Sequence, residues 1–177
     1  MEEKVTFKSG ENDELTISGA IHLPEDMQPG EKRPAVMVLH GFGSRKDAAN
    51  VTGPANIFLN WGYVVLRFDM RGCGESDGLF GHLLCLDQVA DTRAAISFLQ
   101  SRPEVDPDRI GLVGSSFGAA VAIYTGGVDD RVAAVISSGG WGNGERKFRG
   151  QHPSPEEWQA FTDMLAEGKK HRDETGE

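Results

Sequence analysis

Arg109-Ile110-Gly111-Leu112-Val113-Gly114-Ser115-Ser116-Phe117-Gly118-Ala119-Ala120-Val121-Ala122 is the stretch that decides the fold. A short apolar strand runs into Gly114-Ser115-Ser116-Phe117-Gly118, and a small-residue, apolar helix follows at once. The pentapeptide has the G-x-S-x-G spacing of a nucleophile elbow in the strand–turn–helix context that motif requires. A serine held on a tight, strained turn needs small neighbours two residues before and two after, and Gly114 and Gly118 supply them. The turn lifts the Ser116 hydroxyl to the top of the sheet. The next helix aims its N-terminus at the same place, where N–H groups can stabilise negative charge. The plain alternative is an incidental Gly/Ser turn. Ser115 as the reactive serine is a poorer reading, since it lacks the flanking glycines.

Upstream lie two more apolar runs of the same kind. Ala35-Val36-Met37-Val38-Leu39 is unbroken, as in a parallel strand buried on both faces, and ends at His40-Gly41-Phe42-Gly43-Ser44. Tyr63 to Phe68 is the next, and ends in the glycine-rich loop Asp69-Met70-Arg71-Gly72-Cys73-Gly74-Glu75-Ser76-Asp77-Gly78. Helices are predicted over 47–61, stopped by Gly62, and over 86–101, ending before Pro103. Residues 3–8 and 14–23 read as an N-terminal hairpin or meander, and 103–109, with two prolines, as a turn. The elbow helix should run to Thr125, broken by Gly126-Gly127, and a last strand spans 131–137. This β-α-β-α-β-α-β order predicts an α/β domain, a mostly parallel central sheet with helices on both faces. Functional loops then lie at the strand C-terminal ends.

The division expected is a core over 1–140 and a polar tail over 141–177. In the tail Ser154, Pro155 and Glu157 stand at N-cap, N1 and N3 of a helix that Gly168 can end. Trp158, Phe161 and Leu165 form one stripe, either plain packing or the lining of an acyl pocket in a lid-like helical tail. Lys169 to Glu177 should fray.

A net charge of −9 argues against nucleic acid or an anionic membrane as partner. The charged start and the lack of a long apolar run lead us to expect no signal peptide, no membrane span and a cytoplasmic protein. Cys73 and Cys85 are too few for a disulfide framework; reduced thiols are the simpler reading, with Cys73 a loop filler rather than a reactive thiol. No Cys/His cluster has metal-ligand spacing, and no metal or cofactor is called for.

His-Gly-x-Gly, Phe-Asp-x-Arg-Gly-x-Gly-x-Ser and G-x-S-x-G thus follow three successive strands. Together they resemble the α/β-hydrolase superfamily of serine hydrolases, over about residues 15–140. The nearest resemblance is to its serine aminopeptidase, prolyl-peptidase-like and dienelactone-hydrolase-like groups. The resemblance implies acyl transfer on a small-molecule acyl substrate, with Ser116 as nucleophile. It implies an oxyanion hole from the backbone N–H groups of Phe117 and Phe42, with Gly41 and Gly43 letting that loop approach closely. His40 is not read as the base. It would shape the oxyanion loop, or be a core histidine with a satisfied ring. Asp69 and Arg71 would fix loops, paired with each other or with the backbone.

The superfamily places an acid and then a histidine after the nucleophile. Past Ile136-Ser137 no further apolar strand is legible, and neither His152 in its loop nor His171 in a charge run follows a strand. Asp163 and Asp173 are equally poor acids. The fold is expected to be C-terminally incomplete, with an exposed edge beside strand 132–137. Three explanations stand: a truncated chain, half of a split enzyme completed by a partner chain or homo-oligomer through that edge, or a shortened, non-catalytic binding protein.

Overall fold

The computed structural model describes residues 2–12 and 14–176. In chain order the elements are β1 (Glu2–Ser9), β2 (Leu15–His22), β3 (Arg33–Leu39), α1 (Ala49–Asn60), β4 (Val64–Phe68), α2 (Cys85–Ser101), β5 (Val105–Ser115), α3 (Phe117–Val128), β6 (Val132–Ser138), α4 (Gly144–Gln151) and α5 (Pro155–Thr175). The chain divides into two compact units, Met1–Gly140 and Trp141–Glu177.

The first unit is an α/β fold around one six-stranded sheet in the order β1-β2-β4-β3-β5-β6. β3 to β6 run parallel, while β2 joins β4, and β1 joins β2, antiparallel. Ala35 to Leu39 of β3 are each no more than 4% exposed, which is why that run shows no alternation. Val36, Val38 and Val65 pack under Val51 and Ala55 of α1. Elsewhere in the core, Phe7 stacks on Phe98 of α2 at 5.4 Å and meets Phe68 edge-on at 5.6 Å. α2 and α3 pack on each other and on β5. Because β4, β3 and β5 are parallel neighbours, the loops that follow them leave the same end of the sheet side by side.

Two expectations in this unit are corrected. Gly126 and Gly127 do not break α3, which runs on to Val128. A Cβ on Gly126 would stand 2.6 Å from Val135 Cγ2, so this glycine serves the close approach of α3 to β6. What stops the helix is Asp129, whose carboxylate is held by Arg93 and Arg131. Residues 103–109 are not wholly a turn, since β5 begins at Val105, opposite Arg33. The pairing then jumps to Ala35 with Ile110. Pro107 lies in the residues that bulge out, where its missing N–H breaks no ladder bond.

β6 forms one edge of the sheet; among the described residues no strand pairs with its outer side. Its Ile136 is 52% exposed.

The second unit holds a helix the sequence reading missed, α4, whose first turn is capped by the Asn143 side chain accepting from Arg146 N–H at 2.8 Å. α5 opens with the expected Ser154–Glu157 capping box. It neither ends at Gly168 nor frays after it, but continues to Thr175 and closes on Gly176 at φ 80°. A solvent-facing helical glycine costs only about 1 kcal/mol. The charged run beyond it is made of good helix formers, with Lys170 within 3.8 Å of Glu174 one turn on. Phe161 stacks on Phe148 and on His152, at 5.2 and 4.5 Å, so part of the stripe packs within this unit.

Candidate active site

Ser116 sits between β5 and α3 at φ 53°, ψ −119°. Among the described residues it alone, glycines apart, has positive φ. Such a conformation costs on the order of 1–3 kcal/mol and persists only where the surroundings enforce it. Here Ser116 N–H donates to Ser138 O at 2.9 Å, while its carbonyl accepts from Ala119 N–H at 3.1 Å. Both flanking glycines are sterically required. A Cβ on Gly114 would lie 2.2 Å from Gly118 O, and one on Gly118 would lie 2.3 Å from His40 O and 2.6 Å from Leu39 O. The first turn of α3 therefore packs directly on the backbone at the end of β3. The Ser116 side chain is exposed. The Ser115 hydroxyl instead accepts from Asn50 Nδ2 at 2.9 Å.

The loop after β3 passes close to this serine. An ideal Cβ on Gly41 would stand 3.4 Å from Ser116 Cβ and 3.8 Å from its Oγ. His40 is fully buried, and its ring is satisfied on both sides. Met70 N–H donates to Nε2 at 3.1 Å, which leaves the proton on Nδ1, facing Gly41 O at 2.8 Å. Burial pushes the imidazole pKa down, against the Gly41 hydrogen bond and the Asp69 charge, so the neutral ring is favoured. Gly41 O also accepts from Ser44 N–H at 3.2 Å. With that carbonyl fixed by two donors, the trans peptide directs Phe42 N–H the opposite way. Gly43 turns the chain at φ +61°. The Phe42 ring, 61% exposed, meets the Phe117 ring edge-on at 5.4 Å.

Asp69 and Arg71 do not pair with each other. Asp69, 1% exposed, accepts from Lys46 N–H and Lys46 Nζ, both at 2.6 Å, and from Glu75 N–H at 3.0 Å. It thereby ties the loop after β3 to the loop after β4. Gly74 makes room for it, since a Cβ there would fall 2.2 Å from Asp69 Oδ2. Burial works against the Lys46 ammonium, but hydrogen bonds to Asp69 and Glu75 outweigh it and raise the pKa. Arg71 binds Asp91 of α2 through Nε at 2.9 Å and Nη2 at 2.7 Å, and Ser9 donates to the same carboxylate at 2.7 Å. Sequence reasoning missed Lys46 and Asp91. Asp91 had left a signal, an acidic residue within the buried stripe of α2.

Burial pushes the Cys73 thiol up to about 11, with Asp69 and Asp91 adding to it, which suits a small loop filler. Among the described residues no group of three or more His, Cys, Asp or Glu is placed to hold a metal ion. No described helix is long and apolar enough to cross a membrane. No histidine among the described residues is hydrogen-bonded to Ser116 Oγ: His22 is bound to Arg67, His40 to Met70 and Gly41, and His152 to Phe148 O.

Comparison with known proteins places this geometry. The X-Pro dipeptidyl-peptidase (S15 family) description matches residues 13–176. Thiohydrolase aneE of Aspergillus aculeatus is 35% identical over 126 residues, 71% of this chain and 38% of that protein. Polyketide transferase claH of Penicillium crustosum is 38% identical over 138 residues, 77% of this chain and 44% of that protein. The crystal structure of the α/β hydrolase GrgF from Penicillium sp. sh18 superposes with a TM-score of 0.76 at 26% identity, over 100% of this chain and 56% of that one. The chain spans less than half the length of the curated relatives it matches. With a mixed, mostly parallel sheet and a serine elbow at its centre, the chain belongs to the S15 family of the α/β-hydrolase superfamily.

Proposed function

We propose that this chain carries the nucleophile and oxyanion elements of a serine hydrolase that cleaves an ester, thioester or small amide. The observation that carries the reading is Ser116 itself, an exposed serine held at φ 53° against the loop of Gly41. In the reaction Ser116 Oγ attacks the acyl carbonyl carbon and gives up its proton to a base. The carbonyl oxygen becomes an oxyanion held by the N–H groups of Phe42 and Phe117. The C–X bond breaks, the leaving group takes the proton, and water then releases the acyl group from Ser116. His40, Gly41 and Gly43 shape the donor loop; Lys46, Asp69, Arg71 and Asp91 hold the two neighbouring loops in place. The names of thiohydrolase aneE and polyketide transferase claH support acyl chemistry of this kind. We place the protein in the cytoplasm, with reduced thiols.

With no histidine hydrogen-bonded to Ser116 Oγ among the described residues, we expect slow turnover from this stretch on its own. Losing a triad member leaves roughly 10³–10⁴-fold over water, from the oxyanion hole and binding. A fluorophosphonate probe tests the reading. Slow labelling that vanishes in Ser116→Ala is the expected result, and a folded sample that takes no label refutes it. The open edge of β6 favours a second reading, in which a further strand or complementing chain pairs there and supplies the missing groups. A chain that sediments as a monomer, and that no candidate partner activates, counts against it.

A further inference from the structure

Between the glycine-rich loop and the first turns of α2 runs Leu79-Phe80-Gly81-His82-Leu83-Leu84-Cys85-Leu86. These eight residues include no Asp, Glu, Lys or Arg, in a chain whose residues are 25% charged. Four of the side chains stand out in solvent: Leu79 is 71% exposed, Phe80 90%, Leu84 51% and Leu86 61%. Four exposed apolar side chains within eight residues make this segment a candidate binding surface. The segment is also anchored. Leu79 O would stand 2.5 Å from a Cβ on Gly72, which takes φ +70°. Leu83 Cδ1 lies 3.7 Å from the Cβ position of Gly43. Gly43 belongs to the loop that passes close to Ser116 at Gly41, and Phe42 between them adds another exposed ring. Through Leu83 the segment thus lies beside the loop that carries Phe42, whose N–H is assigned to the oxyanion.

We propose that Phe42 and the 79–86 segment form the wall that receives the apolar tail of the acyl group presented to Ser116. The substrate class is then an acyl ester or thioester whose acyl chain is hydrocarbon, uncharged along its length. This rests on the hydrolase reading above. The net charge of −9 disfavours an anionic lipid surface as the occupant, and contact with the loop beside the nucleophile favours the substrate.

Binding can be read without turnover, in the Ser116→Ala chain, by calorimetric titration with N-methyl alkanamides of four to ten carbons. A buried methylene is worth about fourfold in affinity, so a wall exposed on one side should give about twofold per methylene. Phe80→Ser with Leu84→Ser should flatten that dependence while leaving the melting temperature unchanged, because both side chains are exposed. Trp61→Ser, remote from this segment in sequence, should leave the dependence intact. Equal affinity at every chain length, or a dependence that survives Phe80→Ser/Leu84→Ser, overturns the proposal. So does partition onto neutral phosphatidylcholine vesicles without chain-length dependence among the soluble amides, which assigns the segment to a lipid surface. A retained dependence with no fluorophosphonate labelling removes the hydrolase reading and leaves the wall as an acyl-binding site. A flat dependence with labelling intact removes the wall alone.

Discussion

Replacing Asp69 by Asn tests how the site is held together. The carboxylate is 1% exposed and takes three donors: the Lys46 amide, the Lys46 ammonium and the Glu75 amide. An amide of the same shape keeps one acceptor oxygen and turns an NH₂ toward a donor. Lys46 is itself buried and keeps only Glu75, which is 63% exposed on its side chain and screened by solvent. Removing one partner of a buried pair costs about 3–5 kcal/mol, mostly because the other charge is stranded. In a domain of this size each kcal/mol moves the melting temperature by about 2–4 °C, so Asp69→Asn should melt about 6–20 °C lower. Lys46→Met removes the stranded charge, so in the double variant the costs should fall short of additive by more than about 1 kcal/mol. Fluorophosphonate labelling of Ser116 should also slow, since the loop carrying Phe42 is released from the loop after β4. Thermal melts of wild type, both single variants and the double variant decide the matter. A drop below about 2 °C for Asp69→Asn, or strict additivity, refutes the clamp.

Three further outcomes are expected. Gly118→Ala places a Cβ 2.3 Å from His40 O, which is backbone and cannot rotate away, so stability should fall by about 1–3 kcal/mol and labelling of Ser116 should be lost; both are read on one purified sample. Ser116→Gly relieves the φ 53° strain that Ser116→Ala retains, so the glycine variant should melt a few degrees above the alanine variant, the entropy of the unfolded glycine offsetting part of the gain. The Arg131 hydrogen bonds, helped by Arg93, hold the Asp129 carboxyl well below the usual carboxylate range, against its burial. Its folded pKa is depressed, so its contribution is complete above the unfolded value of about 3.9 and drains away as the pH falls below it. Urea unfolding between about pH 4 and pH 2 should lose up to about 1.4 kcal/mol per pH unit of slope in Asp129→Asn.

What the sequence disclosed and what it hid follow from how each part is built. Gly114 and Gly118 were legible because backbone meets backbone there, and only glycine fits at a fixed distance along the chain. Gly126 and Gly168 look identical in sequence, yet one admits Val135 against a helix and the other faces solvent inside α5. Only tertiary contact separates those uses from a helix stop. Lys46 was hidden for the same reason: its partner Asp69 lies 23 residues away, and no local pattern announces the pair.

The same division runs through the candidate site. The oxyanion half proposed for it is made of main chain, so it leaves a spacing that can be read: His40-Gly41-Phe42-Gly43 on one loop and Ser116-Phe117 on the next. A catalytic base is a side chain, free to come from any distance, and leaves no spacing. None of the five described histidines is hydrogen-bonded to Ser116, and three of them, His22, His40 and His152, already engage Arg67, the Met70 and Gly41 backbone, and Phe148 O. His40 makes the point most sharply. It lies in the loop beside Ser116, yet both nitrogens are occupied, Nδ1 with Gly41 O and Nε2 with Met70 N–H. Protonating it would replace the acceptor for Met70 N–H with a donor. A histidine that holds the Gly41 peptide in this way is not free to take the proton of the serine, so under the proposed function the base is a different residue, and the unpaired side of β6 offers one place for a strand that carries it.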